Sequence, residues 1–260
     1  MSIINIREIK KRAIEDLRGK WGQAAFFTLL FVLVFLVGSL IPFGQIFIGW
    51  PLSIGYILYF LSLVKKEKVE AGLMFRPFDF YGKALLAYLL KTFILLLSLI
   101  PSVIVVLILY IIVPKESNIF VVLGFGWLIL IAIPIYVSLR LSMFFYILIE
   151  NPQIPVDYAI SISWKMMQEH VGKFFLLNLS FILWFFLALL SFGIGFLWFY
   201  PYYRTSVAHF YLELKNIYPE YSKMIDYYSS GQFNRNSRSF TNSDDSSNTS
   251  VDDMYYFEND

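Results

Sequence analysis

Long apolar runs separated by short polar or basic breaks dominate the pattern of this chain. A helix crossing the hydrocarbon of a bilayer needs about 20 mostly apolar residues. Backbone groups in lipid must bond within their own segment, so these runs predict helices rather than strands with open edges. The runs are continuous instead of alternating, which argues against a β-barrel. Six spans are predicted, at about residues 21–41, 48–64, 84–113, 119–149, 174–192 and 194–214. The second is short, and a re-entrant segment is the alternative to a full crossing there. Pro101, Pro134 and Pro201 each remove a backbone donor and are expected to kink their helices.

Two segments carry helical periodicity with a polar face instead. In residues 5–20 and on to Trp21, Ile6, Ile9, Ala13, Ile14 and Leu17 recur at steps of three and four, opposite Arg7, Lys11, Glu15 and Arg18. In residues 155–171, Pro155 suits a first helical position, and Asp157, Ser161, Lys165, Gln168 and Glu169 face away from Ile160, Trp164, Met167 and Val171. Both read as helices lying in the headgroup layer; packed extensions of membrane helices are the alternative.

The distribution of basic residues sets the expected topology. Arg7 to Lys20 precede the first span. Lys65, Lys66, Lys68, Arg76, Lys83 and Lys91 follow the second. Arg140, Lys165 and Lys173 flank the fourth and fifth, and Arg204, Lys215, Lys223, Arg235 and Arg238 lie at or after the sixth. Of the 21 Lys and Arg, only Lys115 falls on the other side. That asymmetry predicts six spans with both termini cytoplasmic. Lys10-Lys11-Arg12 before an apolar run resembles a signal peptide, but no small-residue cleavage site follows, so the first span is read as uncleaved.

Composition agrees: 58% hydrophobic and 15% charged residues, with a mean hydropathy of +0.64, lie outside the usual soluble range of roughly 45–50% and about 25%. The net charge of +2 says little, and 260 residues leave room for one membrane domain and a tail. Without cysteine there is no disulfide, thiolate ligand or thiol nucleophile.

An internal echo groups the spans into hairpins. Residues 13–63 run from amphipathic helix through an apolar span and a Pro-Phe-Gly turn to Trp50-Pro51 and a second span. Residues 159–214 repeat that order, with a Ser-Phe-Gly-Ile-Gly turn, Trp198 and Pro201; residues 75–149 are a looser third version. The expected architecture is an all-α polytopic bundle, six spans as three parallel hairpins with cytoplasmic interfacial helices. Residues 216–260, rich in Ser, Asn and Asp after Asn234, predict a disordered cytoplasmic tail. Met254-Tyr255-Tyr256-Phe257 is a candidate docking motif within it, with a plain disordered end as the alternative.

No catalytic motif is present. His170 and His209 lack a carboxylate at ligand spacing, and no zinc, nucleophile-elbow or phosphate-loop signature occurs, so no metal, cofactor or nucleic-acid partner is expected. Glu150 and Asp157 are expected to face water, and His209 with Glu213 to form a local pair. Ionisable residues inside spans are the default functional candidates. Arg140 and Arg204 are the two that stand out. With Tyr200 and Tyr211 they form a candidate cytoplasm-facing pocket for an anion such as a lipid phosphate; snorkelling or structural pairing is the alternative.

Ile9-Lys10-Lys11-Arg12-Ala13 through Lys20-Trp21-Gly22, Ala159-Ile160-Ser161, Met166-Met167, Gly172-Lys173-Phe174, Leu179-Ser180-Phe181, Trp184, Gly193-Ile194-Gly195, Pro201-Tyr202 and Phe210-Tyr211 carry a resemblance. Over about residues 3–214 the chain resembles the bacterial domain-of-unknown-function family 975, integral membrane proteins found mainly in Gram-positive bacteria. It is also similar to the membrane domain preceding some glycerophosphodiester phosphodiesterase domains, whose catalytic half has no counterpart here. The resemblance implies a cell-membrane location and at most a link to lipids; it supplies no catalytic residue. The expected function is that of a non-enzymatic envelope or lipid-associated protein, with membrane lipids and other membrane proteins as partners. A transporter or permease component is the first alternative and a lipid-modifying enzyme the second.

Overall fold

The computed structural model describes residues 4–68, 71–112 and 119–229, and the described residues contain helices and no strand. Lys115, most of the predicted tail and its Met254–Phe257 motif lie outside them. Helix α1 (Ile6–Leu17) is capped by Asn5, whose side chain accepts from the Arg7 N–H at 3.0 Å. Helix α2 (Trp21–Ser39) follows, then a π-helical turn (Gln45–Gly49) that runs directly into α3 (Trp50–Val64). Two 3-10 turns, Ala71–Met74 and Arg76–Phe80, lead to α4 (Tyr81–Leu97) and α5 (Leu99–Ile112). Then come α6 (Ile119–Arg140), α7 (Phe144–Glu150), α8 (Val156–Met166), α9 (Val171–Leu179), α10 (Ile182–Leu190), α11 (Phe196–Ile217) and α12 (Pro219–Ser229).

Among the described residues, five stretches are helical, long and apolar enough to cross a membrane: Trp21–Ser39, Gln45–Val64, Gly72–Ile108, Gly126–Glu150 and Val171–Leu190. Large apolar side chains point outward along them, with Leu190 81% and Leu183 68% exposed, a surface that lipid rather than water accommodates. These features mark a membrane-embedded helical protein. Helix α11 is long but holds Arg204, His209, Glu213 and several tyrosines, and it is not among the five.

The second segment is the hub. Of the fourteen residues of α3 from Pro51 to Val64, thirteen are buried and only Ser53 is not, and α2, α4, α7 and α11 all pack on it. Small and hydroxylated residues, Ser53, Gly55 and Ser62, let neighbours approach; at Gly55 the backbone of Met74 comes into van der Waals range.

The breaks in the spans follow local chemistry only in part. The third run is interrupted at Ser98, three residues before Pro101, whose missing N–H and ring disturb the preceding turn. Helices α6 and α11 instead continue through Pro134 and Pro201, and the fourth run breaks at residues 141–143. The fifth breaks at Ser180-Phe181 without proline or glycine. There Ser180 Oγ donates to the Leu177 carbonyl at 2.7 Å, and Lys10 of α1 donates to Ser180 O at 3.4 Å and Oγ at 3.3 Å. The lysine sits at the C-terminus of α9, where a cation is favoured.

Two turns share an unusual backbone. Phe43, before Gly44, has φ 61°, and Phe192, before Gly193, has φ 53°. A phenylalanine in this left-handed region is uncommon, and its recurrence gives the turns of the outer two hairpins of the sequence echo a common geometry.

Candidate functional site

The two amphipathic segments supply the frame. Helix α1 buries Ile9, Ala13 and Leu17 and packs on α11, while Arg7, Lys11, Glu15 and Arg18 stay exposed. Two polar ties fix the pair. Asp16 meets His209 at 2.8 Å, and Arg12 bonds Glu213 at 2.6 Å while also reaching Glu8 at 3.1 Å. His209 and Glu213 therefore each pair with α1 instead of with one another, because α1 brings a carboxylate and a guanidinium against that face. Helix α8 buries Val156, Ala159, Ile162, Ser163 and Met166 and leaves its predicted polar face exposed.

Glu150 is not a water-facing carboxylate. It ends α7 with its side chain only 10% exposed, held by Lys65 at 2.5 Å, Lys215 at 3.0 Å and the Tyr211 hydroxyl at 2.5 Å. The ends of α3, α7 and α11 converge there, and the burial of those ends carries Glu150 inside. Asp157 remains exposed. Next to Glu150, Asn151 donates to the Ile225 carbonyl at 2.8 Å and Lys83 to that of Pro152 at 2.5 Å, which ties α12 and α4 to the same corner.

Deeper in the bundle lies Arg204. It projects from α11 toward α3, α4 and α7, where Tyr146, Tyr203, Tyr56 and Tyr88 are its electrostatic neighbours. Its Nε is sealed from solvent and has no hydrogen-bond partner. Lys91 of α4 feels the Arg204 charge and lies 4.7 Å over the Phe145 ring. Among the described residues no carboxylate pairs with either cation.

The tyrosines explain how this is tolerated. Thr28 donates to the Ala24 carbonyl at 2.8 Å, so the 2.8 Å contact between Tyr56 and Thr28 has the tyrosine donating. Tyr203 donates to Asn178 Oδ1 at 2.7 Å. Both therefore commit their protons to acceptors other than the site. Tyr146, 1% exposed, stands beside Arg204, and its own O–H proton has no acceptor among the described residues. The partly buried Arg204 and Lys91 thus share one electrostatic neighbourhood with the Tyr146 hydroxyl, an arrangement complementary to an anion.

The predicted quartet is distributed as follows. Tyr200 lies within electrostatic reach of Tyr56 and Tyr203, and so shares the Arg204 neighbourhood. Tyr211 packs against Tyr146, ring centroids 5.3 Å apart and planes tilted by 31°, with its hydroxyl on Glu150. Arg140 shares no contact with Arg204. It ends α6, is 6% exposed, and lies 4.5 Å from the Trp164 ring of α8 with Nε and Nη1 unpartnered. That is a cation–π seat at a helix C-terminus. Lys91, Tyr56, Tyr88, Tyr146 and Tyr203 were not legible as site residues. Lys91 groups by sequence with the basic flank, although its place about a quarter of the way into the apolar run 84–113 is a usable signal.

The described residues contain no group of three His, Cys, Asp or Glu able to hold a metal ion. Compared with known proteins, residues 1–217 match the family described as protein of unknown function (DUF975). The chain belongs to the DUF975 family. Every side chain of the Arg204 centre and of the Glu150 cluster lies within that matched stretch. No curated protein and no solved structure matches this DUF975 chain.

Proposed function

We propose that this DUF975 protein is a six-span, non-enzymatic membrane protein that holds the phosphate of an anionic lipid at Arg204. The observation that carries the reading is a pair of cations in apolar helices, Arg204 and Lys91, beside the Tyr146 hydroxyl and with no carboxylate on either among the described residues. Charges inside a membrane pair with protein counter-charges or line a ligand path.

Helix α11 serves as the sixth span. Its polar residues face protein, since Thr205 and Ser206 are fully buried and α1, α2, α3 and α10 pack around it. A helix so sheltered needs less hydropathy than one facing lipid. With six crossings, both ends share the cytoplasmic side, as the basic residues require, and α1 and α8 lie along that surface. The chain lacks cysteine, so a single one can report on sidedness. Phe192→Cys should react with an impermeant maleimide from outside intact cells and Lys66→Cys only after permeabilisation; the reverse pattern would refute the topology.

Lipid binding is tested by native mass spectrometry of the detergent-solubilised protein, titrated with phosphatidylglycerol, phosphatidylcholine and inorganic phosphate. Phosphatidylglycerol should bind best. Arg204→Gln and Lys91→Gln should each weaken it about tenfold, the scale of one charge-assisted hydrogen bond. Wild-type affinity in both folded variants would sink the proposal, and equal binding of free phosphate would move the site from lipid to solute. A transporter component is the second reading, favoured by the interruptions at Ser98 and Ser180-Phe181 within spans.

A further inference from the structure

A lateral groove of about 320 Å³ opens between α1, α2, α10 and α11, on different residues from the Arg204 centre. Its lining is almost wholly apolar and includes three of the chain's six tryptophans, Trp21, Trp184 and Trp198, with Ile14, Leu187 and Tyr202. Ile14, Leu187, Trp184 and Trp198 are about half exposed, so the groove faces whatever surrounds the bundle. A volume at the low end of the roughly 300–1,000 Å³ of small-molecule pockets suits one chain of a lipid and not a whole one.

One end of the groove is charged. Lys10 lies one helical turn before Ile14 on the same face of α1, and its ammonium is 4.6 Å from the Phe181 ring and 5.9 Å from that of Tyr202. Its hydrogen bonds run only to Ser180, through O and Oγ, and among the described residues no carboxylate meets it. Of the other basic residues of α1, Lys11 pairs with Glu15 and Arg12 with Glu8 and Glu213, while Arg7 is exposed. The Lys10 ammonium, with no carboxylate on it among the described residues, therefore stands where the apolar groove ends.

We propose that this groove seats one acyl chain of an anionic phospholipid whose phosphate is met by Lys10. Apolar rings take the chain and the ammonium takes the head, so the head-to-tail polarity of a phospholipid matches the groove from one end to the other. Tyr202 lines the groove and stands 5.9 Å from the ammonium, at the junction of its apolar and charged parts, as aromatic residues do where apolar and wet regions meet. Because the same ammonium also holds the carbonyl at the break between α9 and α10, bound lipid and the geometry of that break share one residue.

The test reads the groove tryptophans directly and is blind to the Arg204 centre. In a Trp50→Phe, Trp127→Phe, Trp164→Phe background, the protein is reconstituted in phosphatidylcholine vesicles containing a fixed fraction of acyl-brominated phosphatidylglycerol or acyl-brominated phosphatidylcholine. The quenching constant for the anionic lipid should exceed that for the zwitterionic one about fivefold, the factor contributed by one lysine near an anionic surface. Lys10→Gln should abolish the preference. Lys10→Arg should keep it, as should Arg7→Gln, which removes an exposed charge from the same helix. Loss in Lys10→Gln alone separates a charge contact from misfolding, because Lys10→Arg carries the same disruption of the lysine. Equal quenching by both lipids, or a preference that survives Lys10→Gln, overturns the proposal. Absence of quenching by either lipid also overturns it, since the groove is then covered by protein.

Discussion

Glu150→Ala is expected to cost the folded protein about 3–5 kcal/mol, the range for removing one partner from a buried ion cluster. The carboxylate, 10% exposed, meets two ammonium groups 26% and 14% exposed and one phenol. Its removal takes the shared carboxylate away from Lys65 and Lys215 and takes the acceptor of the Tyr211 hydroxyl away with it. The loss is larger than for the surface pairs of α1, such as Lys11–Glu15, whose side chains are 70% and 58% exposed and which are worth at most about 1 kcal/mol. Thermal or SDS-induced unfolding in a defined detergent measures it. The triple change Lys65→Met, Glu150→Leu, Lys215→Met should recover much of the loss, because no buried charge is then left alone. A Glu150→Ala protein within about 0.5 kcal/mol of wild type, the usual effect of a surface change, would show that the cluster is not a structural tie.

Gly55→Val is the second large effect. A Cβ added there would clash with the Met74 carbonyl oxygen and lie 2.6 Å from its carbonyl carbon. Both atoms are backbone, so no rotamer relieves the contact. Either α3 moves, and with it every helix that packs on the hub, or the turn Ala71–Met74 is displaced. Overpacking of this kind costs about 1–3 kcal/mol, and the upper end is expected because the neighbour is main chain. Gly82→Ala is the matched control: nothing lies within 4 Å of its added Cβ, and alanine suits the helix better by up to about 1 kcal/mol. The same unfolding assay should rank Gly82→Ala at or above wild type and Gly55→Val well below it. Equal stability of the two variants would mean that Met74 does not approach α3.

Much of this architecture is readable from the chain alone. Runs such as Trp21–Ser39 and Gln45–Val64 announce membrane helices because lipid imposes one length and one hydrogen-bonding rule on every crossing. The periodic faces of α1 and α8 were equally plain, since polar residues at helical spacing exclude burial on that side. Arg204 was visible as a charge deep in a span.

The tertiary structure alone decides which apolar helix is inside. Lipid tails and a protein interior are about equally apolar, so the composition of α3 does not distinguish a hub from a lipid-facing helix. Partnership is likewise a three-dimensional matter. His209 pairs with Asp16 across 193 positions of sequence and Glu150 with Lys65 across 85, distances over which no periodicity reports. The break at Ser180-Phe181 has no proline or glycine to announce it, and the ammonium bonded there comes from α1. Sequence alone therefore determined that the chain is a membrane-embedded helical protein and where its apolar runs lie, through rules that act on each segment separately. Packing decided which polar groups meet: it set Arg140 on Trp164, gathered Lys91 and the tyrosines around Arg204, and left Lys10 at the end of an apolar groove. Those outcomes depend on which helix faces meet, and that is set by the fit of whole surfaces rather than by any one segment.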